Sequence, residues 1–492
     1  MKISETAIGY DFLHADSLRG KVRSFDAEVY NLLVDSSGKY GTFQLVERDK
    51  KGRISLKTKA IRFDFDADQI LWTRDVTLQY HSLNQIGSKL IFDNGRKSFL
   101  LDNLSGDEVW KLKYKFILSD SSDRIGVGYL HNPLPNAKEK IEGIDFASGT
   151  TLWERELSKD YNINNIIPLD RHRVLIASSG LHEVDLRSGE GWSYHAVTGT
   201  KDYKKATIGT GIGVAVGLLS GIYFGVSGHD LIWQLNSNVV HDSLHIYFAS
   251  MEKLVKLDKQ GNILWEIDLD EDKMSSSFIF KSDNNLVMIN RGIAMMNNRT
   301  VAFGEPFIAA YDLANGDELY SNEVEKNEST YLSSVVNEAN HIYATVDDRV
   351  EKFSISNGEK VKTQSFDQSE YGKPLRLMEG NFYLEKNSIF SKVSDMPKRK
   401  LYIFTDSANI LVLGPDLSIE SQIEEDDLYY LQAKTREYKI ISNGDHSIII
   451  NAKGDRITAL KASGKTLIAG NKLFLSENNR LIEIDLLSLT ND

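Results

Sequence analysis

Apolar and polar positions alternate along most of this chain in short runs, the period of a strand with one buried face. Glu28–Val34 and residues 41–46 are early examples, with polar turns between them. Further on a fuller unit can be written. One strand resembles residues 245–250, a second resembles Lys253–Asp258, a tight turn follows, and the returning strand carries Trp265. The pair of strands recurs as Arg173–Ser178 with 181–185, His341–Val346 with 350–354, 400–406 with 409–413, and Lys472–Glu477 with Arg480–Asp485.

The turn is the most constant part. In residues 143–153 a strand ends at Asp145, the chain reverses around Ser148-Gly149, and Trp153 lies on the way back. Asp145 and Ser148 can hydrogen-bond nearby N–H groups, and Gly149 can take the positive φ of a tight turn. The Trp offers a large apolar surface for the gap between neighbouring sheets. Copies place Asp102, Gly106 and Trp110 in register, then Asp312, Gly316 and Tyr320, and also Asp64 and Trp72, where Asp68 replaces the Gly. Asp185, Gly189 and Trp192, like Asp258, Gly261 and Trp265, make a version one residue shorter. Five of the six tryptophans hold this position, Trp233 being the exception, and chance does not gather a rare residue in that way.

This D-x-x-(S/N)-G-x-x-x-W turn resembles the tryptophan-docking repeat of the pyrroloquinoline-quinone-type propellers. That superfamily includes quinoprotein alcohol dehydrogenases and the propeller lipoprotein of outer-membrane protein assembly. The likeness covers roughly residues 60–490 and thins toward the end, where Asn357-Gly358 lacks the Trp, Pro415-Asp416 keeps only the turn, and Ser463-Gly464 is the weakest copy. Trp72, Trp110, Trp153 and Trp192 are 38, 43 and 39 residues apart. A period near forty with about four short strands per unit marks a propeller blade. The expectation is an all-β fold, a β-propeller of four-stranded antiparallel blades, eight in number with seven the alternative, forming one domain over residues 1–492. Residues 481–488 repeat the strand before the turn, so an N-terminal strand such as Glu28–Val34 is expected to complete the last blade and close the ring.

Extra residues interrupt the repeat at about 127–140, 199–240, 290–307, 366–398 and 421–437. The first and third fall between a blade's second and third strands, and the others between one blade and the next. Both loop types leave the same propeller face, opposite the Asp/Gly turns. Pro133, Pro135, Pro306, Pro374 and Pro397, five of the seven prolines, lie in these insertions, as suits rigid surface loops. A protein partner is expected on that decorated face, through loops that the repeat does not touch.

Residues 206–228 hold no charge, and Gly209, Gly213, Gly217, Gly221 and Gly225 recur every fourth residue behind Lys204-Lys205. On a helix this is a glycine zipper, a small-residue ridge that permits close packing. Its length would permit a membrane span, but blades on either side must join one ring, so a single crossing is excluded. Packing on the decorated face is the leading expectation. Self-association and membrane contact through 206–228 are the alternatives.

Composition narrows the chemistry. A net charge of −12 and no basic stripe argue against nucleic acid and against attraction to anionic lipid. The absence of cysteine excludes disulfides, thiolate metal sites, a Cys nucleophile and a lipidated N-terminal Cys. No apolar core for a signal peptide is visible near residue 1, so a cytoplasmic protein is expected, with membrane association the alternative. Gly209-Thr210-Gly211-Ile212-Gly213 lacks the third Gly of a dinucleotide loop and any following Gly-Lys-Ser/Thr. Asp268, Asp270 and Asp272, like Asp64, Asp66 and Asp68, lack the Gly and Glu of a calcium loop. His241 and His245 have helical ligand spacing but read as strand. The superfamily's quinoprotein enzymes typically hold their cofactor against a pair of adjacent cysteines, which this chain cannot supply. A non-enzymatic scaffold without catalytic, cofactor or metal residues is therefore expected; a membrane-associated assembly factor resembling the outer-membrane assembly propeller, and a quinone-dependent or carbohydrate-active enzyme using the central channel, are the alternatives.

Overall fold

The computed structural model describes the chain apart from residues 79–80, 121, 123, 131–139, 158–162, 164, 201–231, 297–298, 325–330, 339, 384–398, 424–427, 444 and 490–492. Strands make up the regular structure, and the one helix among the described residues is the 3-10 turn Leu486–Leu489. Second and third strands such as His245–Ala249 and Lys253–Asp258 are almost wholly buried, whereas fourth strands such as Ile263–Asp268 stay largely open. Strands covered on both sides are the Ile-, Leu- and Val-rich ones, because they have no solvent face to reserve for polar side chains.

Seven four-stranded antiparallel meanders follow one another over residues 28–77, 82–112, 114–156, 165–195, 240–268, 277–323 and 332–365. The remaining blade strands and the first two strands of the chain form one thirteen-stranded sheet, whose order passes through 374–423, 428–460 and 465–485. Each of these is again a meander, the last completed by Asp16–Ser24, which pairs antiparallel with Arg480–Asp485. First strands of neighbouring units approach each other, as Leu332–Glu338 does Pro374–Tyr383, so they surround the axis and the fourth strands form the rim. The last unit packs on the first through Phe474 and Leu481 against Phe25, Phe43 and Phe63, closing the β-propeller.

The described strands thus form ten blade-like units, where eight were expected. One unit escaped notice because its turn begins with Asn451 and no Trp follows, although Asn451 Oδ1 still accepts the Asp455 N–H at 2.8 Å and Gly454 still has a φ of 97°. Another has no turn of its own, since its fourth strand comes from the N-terminus. Ser463-Gly464 is not a turn within a blade; it links Arg456–Leu460 to Lys465–Ala469. The closing strand is Asp16–Ser24, and Glu28–Val34 is instead the inner strand of the first blade. The hairpin made by Lys2–Asp11 and Asp16–Ser24 also reaches back, pairing Gly9 with Leu460 at the edge of the preceding unit.

In a meander, connections from second to third strand and from fourth strand to the next blade leave one end, here the loop face. Connections from first to second and from third to fourth leave the other, the turn face. The described ends of insertions 127–140, 199–240 and 290–307 lie at the loop face. The insertion expected over 366–398 does not separate two blades: Pro374–Tyr383 and Arg399–Thr405 are the first and second strands of one unit, and residues 384–398 lie outside the described residues. Most of 421–437 is not insertion at all but parts of the strands Ile419–Ile423 and Leu428–Lys434. Two register shifts in Pro374–Tyr383 explain the misreading, since a bulged strand loses the strict alternation that marks it.

Candidate interaction face

On the turn face each repeat aspartate binds its own turn. Asp102 Oδ1 accepts the N–H groups of Leu104 and Ser105 at 2.9 and 2.8 Å. Asp64, Asp145, Asp185, Asp258 and Asp312 do the same for residues two or more positions on. The Ser148 hydroxyl and N–H hold the Asp145 carboxyl below the usual carboxylate range. The aromatic residue works on the next blade. Trp72, Trp110, Trp153, Trp192 and Trp265 donate their indole N–H to the carbonyls of Asn103, Phe146, Leu186, Lys259 and Leu313, at 3.3, 2.9, 3.0, 3.1 and 3.3 Å. The Tyr320 hydroxyl does likewise to Ile355, at 2.5 Å. In the tryptophan series the acceptor is always the residue after the next blade's capping Asp. The next turn's glycine lies on the ring: a Cβ at Gly189, where φ is 75°, would fall 2.5 Å from Trp153 Cε3. Gly106, Gly149, Gly261 and Gly316 face Trp72, Trp110, Trp192 and Trp265 in the same way.

The closing seam keeps this geometry with different residues. Lys21, opposite Glu483, holds the register position of the tryptophans, and Arg23 lies two residues on. The fully buried Arg23 donates to the Phe65 carbonyl at 2.9 Å, the carbonyl after Asp64, and pairs with Glu483 and Asp68 at 2.7 Å each. Lys21 also pairs with Asp68. Asp68 stands where the other turns have Gly because the neighbour here is a pair of cations and not an indole. Arg155 is the counterpart of Arg23, two residues after Trp153, and donates to the carbonyls of Gly189, Gly191 and Trp192 at 3.2, 3.2 and 2.9 Å. Neither arginine stood out in the sequence; their common offset from the tryptophan position, and the Asp68 exception, are the signals that mark them.

On the loop face two insertions meet. Residues 199–240 supply Gly199–Thr200 and Ile232–Trp233, and residues 290–307 supply Ile293–Met296 and Arg299–Ala302. Ile232 pairs with Met296 and Trp233 with Met295, so loops of different blades form one four-stranded accessory sheet. Ile232, Leu235, Ala294 and Phe303 give it a small core, with Met251 and Val301 packed alongside. Asn290 fixes its root. Fully buried, its amide donates to the carbonyls of Lys273 and Glu305 at 2.8 and 2.6 Å and accepts from the Ser275 N–H and hydroxyl at 3.0 and 2.8 Å. Arg291 reaches the next blade, donating to the carbonyls of Leu332 and Ser333 at 3.3 and 2.8 Å. A buried amide satisfied on every side leaves the hairpin one direction of exit. Residues 206–228 lie outside the described residues; Thr200 and Ile232, which flank them, are paired across neighbouring strands.

Among the described residues no three His, Asp or Glu lie close enough to hold a metal ion. His241 and His245, expected along one strand, sit on either side of a hairpin, with His241 opposite Ile246. Asp268 pairs with Lys253, and Asp270 accepts the Asp272 N–H. Among the described residues His182 is the most perturbed histidine. It is 1% exposed, with Nδ1 2.9 Å from Ser193 Oγ and its ring 5.7 Å from that of His195. Burial, aided by the charges of His195 and Arg155, pushes it down to about 4.

The sequence model of the outer membrane protein assembly factor BamB matches residues 101–364. Among solved structures, BamB from Moraxella catarrhalis is 13% identical, with 84% of this chain and 99% of that one covered and a TM-score of 0.35. The dihydro-heme d1 dehydrogenase NirN is 11% identical over 80% of this chain and 74% of that one, also at 0.35. The Pan2 WD40 domain of Neurospora crassa is 10% identical over 75% and 88%, at 0.30. No curated protein matches.

Proposed function

The chain belongs to the family of the outer membrane protein assembly factor BamB, whose sequence model matches more than half of it, and from that premise we propose a non-enzymatic β-propeller scaffold that holds a protein partner on its loop face. The observation that carries this reading is the accessory sheet. Two insertions, 199–240 and 290–307, depart from different blades and are built into one platform whose root is fixed by Asn290 and Arg291. The repeat residues have a different role in this reading. Asp, Gly and Trp of each turn brace neighbouring blades on the turn face and leave the loop face free to vary.

Membrane association is the second reading. It is favoured by the family's name and by the uncharged stretch 206–228. Among the described residues no helix is long and apolar enough to cross a membrane.

Replacing residues 293–302 with a short Gly-Ser linker and repeating affinity capture from the native cell tests the scaffold. The expected result is loss of one specific protein from the capture with unchanged thermal unfolding. Retention of every captured protein at its former level would end the reading. A deletion of 206–228 that abolishes only sedimentation with membranes would favour the second one.

A further inference from the structure

We propose that the loop face over the first three blades is a basic surface that docks on anionic lipid headgroups. The net charge of −12 hides it, because its cations come together only when three connections meet at one end of adjacent sheets. The first is the connection from Tyr40–Val46 to Lys57–Asp64, closed by the bridge between Arg48 and Ile54. It carries Lys50 and Lys51. The second joins Lys89–Asp93 to Ser98–Leu101 and carries Arg96 and Lys97. The third crosses from Glu108–Leu112 to Tyr114–Ser119, where Lys111, Lys113 and Lys115 are all exposed.

The pairing of these charges favours a lipid over an acidic protein. Arg48 and Arg53, whose forked guanidinium groups suit single carboxylates, are already held by Glu28 and Asp49. The cations left without a carboxylate among the described residues, Lys50, Lys51 and Lys113 for example, are point charges that need no fixed partner geometry. A cleft of about 680 Å³ in the first blade sets Lys57 and Lys59 against Asp26, Glu47 and Asp75, so its lining is slightly acidic and the positive charge is carried by the exposed connections. Ile54 and Leu56 stand among the lysines, 43% and 53% exposed, as aliphatic tips that a headgroup layer can accept. The strands Gly199–Thr200 and Ile232–Trp233 leave the same face at other blades, so the basic sector and the accessory sheet occupy separate parts of it.

A basic side chain near an anionic membrane contributes about 1 kcal/mol, roughly fivefold in affinity. Sedimentation of the full chain with phosphatidylcholine vesicles, with and without phosphatidylglycerol, tests the proposal. Binding is expected only to the anionic vesicles and to weaken in salt. Lys50→Gln, Lys51→Gln and Lys113→Gln together should reduce it on the order of a hundredfold, with thermal unfolding unchanged because all three positions are exposed. Equal binding to both vesicles, or a triple variant that binds like the parent, overturns the proposal. So does a chain that ignores both vesicles but loses a cross-linked acidic protein in the triple variant, since the occupant would then be that protein.

Discussion

Trp153 and Gly189 show at the residue scale how one blade constrains the next. Trp153 is 8% exposed and bound to the Leu186 carbonyl, and Gly189 lies against its ring. Trp153→Ala should cost about 3–5 kcal/mol in urea unfolding. Gly189→Ala should cost about 1–3 kcal/mol, because a Cβ meets both a positive φ and the indole. If the ring is the main obstacle, the glycine substitution becomes milder in the Trp153→Ala background, and a double-mutant cycle measures that coupling. His182 makes a second prediction. Its folded value is about 4 against an ordinary 6.5, so between those limits the unfolded chain binds a proton that the folded chain excludes. Stability is fully present above pH 6.5 and falls as the pH drops through that window, by about 3 kcal/mol for this group. His182→Gln should flatten that part of the stability–pH curve; an unaltered curve would show that other groups set it.

At the scale of elements, the strands and turns of the first seven blades were legible and the insertions were only partly so. Alternation and the Asp/Gly turn are local properties, and local hydrogen bonds enforce them, as Asp102 does for Leu104 and Ser105. The accessory sheet could not be read in this way. Gly199–Thr200 and Ile232–Trp233 are two-residue strands with no periodicity, and they exist because Ile293–Met296 arrives from another blade to pair with them. The basic sector escaped for a related reason. Lys50, Arg96 and Lys113 belong to three connections that only the meander topology brings to one end.

Closure belongs to the whole molecule. The N-terminal strand Asp16–Ser24 completes the last blade, and buried Arg23 ties it to the first through Asp68 and the Phe65 carbonyl. Arg23→Ala leaves Asp68 and Glu483 without this cation and should cost about 3–5 kcal/mol. Limited proteolysis should then release the first 24 residues before the blades unfold, whereas Arg23→Lys should retain part of the stability. If the hairpin resists protease as well in Arg23→Ala as in the parent, the seam is held by its strand pairing and not by the ion pairs.

By itself the sequence determined the all-β repeat and the turn that carries it, because both rest on contacts within one unit or on a motif copied between units. Tertiary structure decided how many units the ring contains, which strand closes it and what the loop face presents. Those depend on residues far apart in the chain, such as Arg23 with Asp68 and Glu483, or Ile232 with Met296, whose pairing leaves no period or spacing to read.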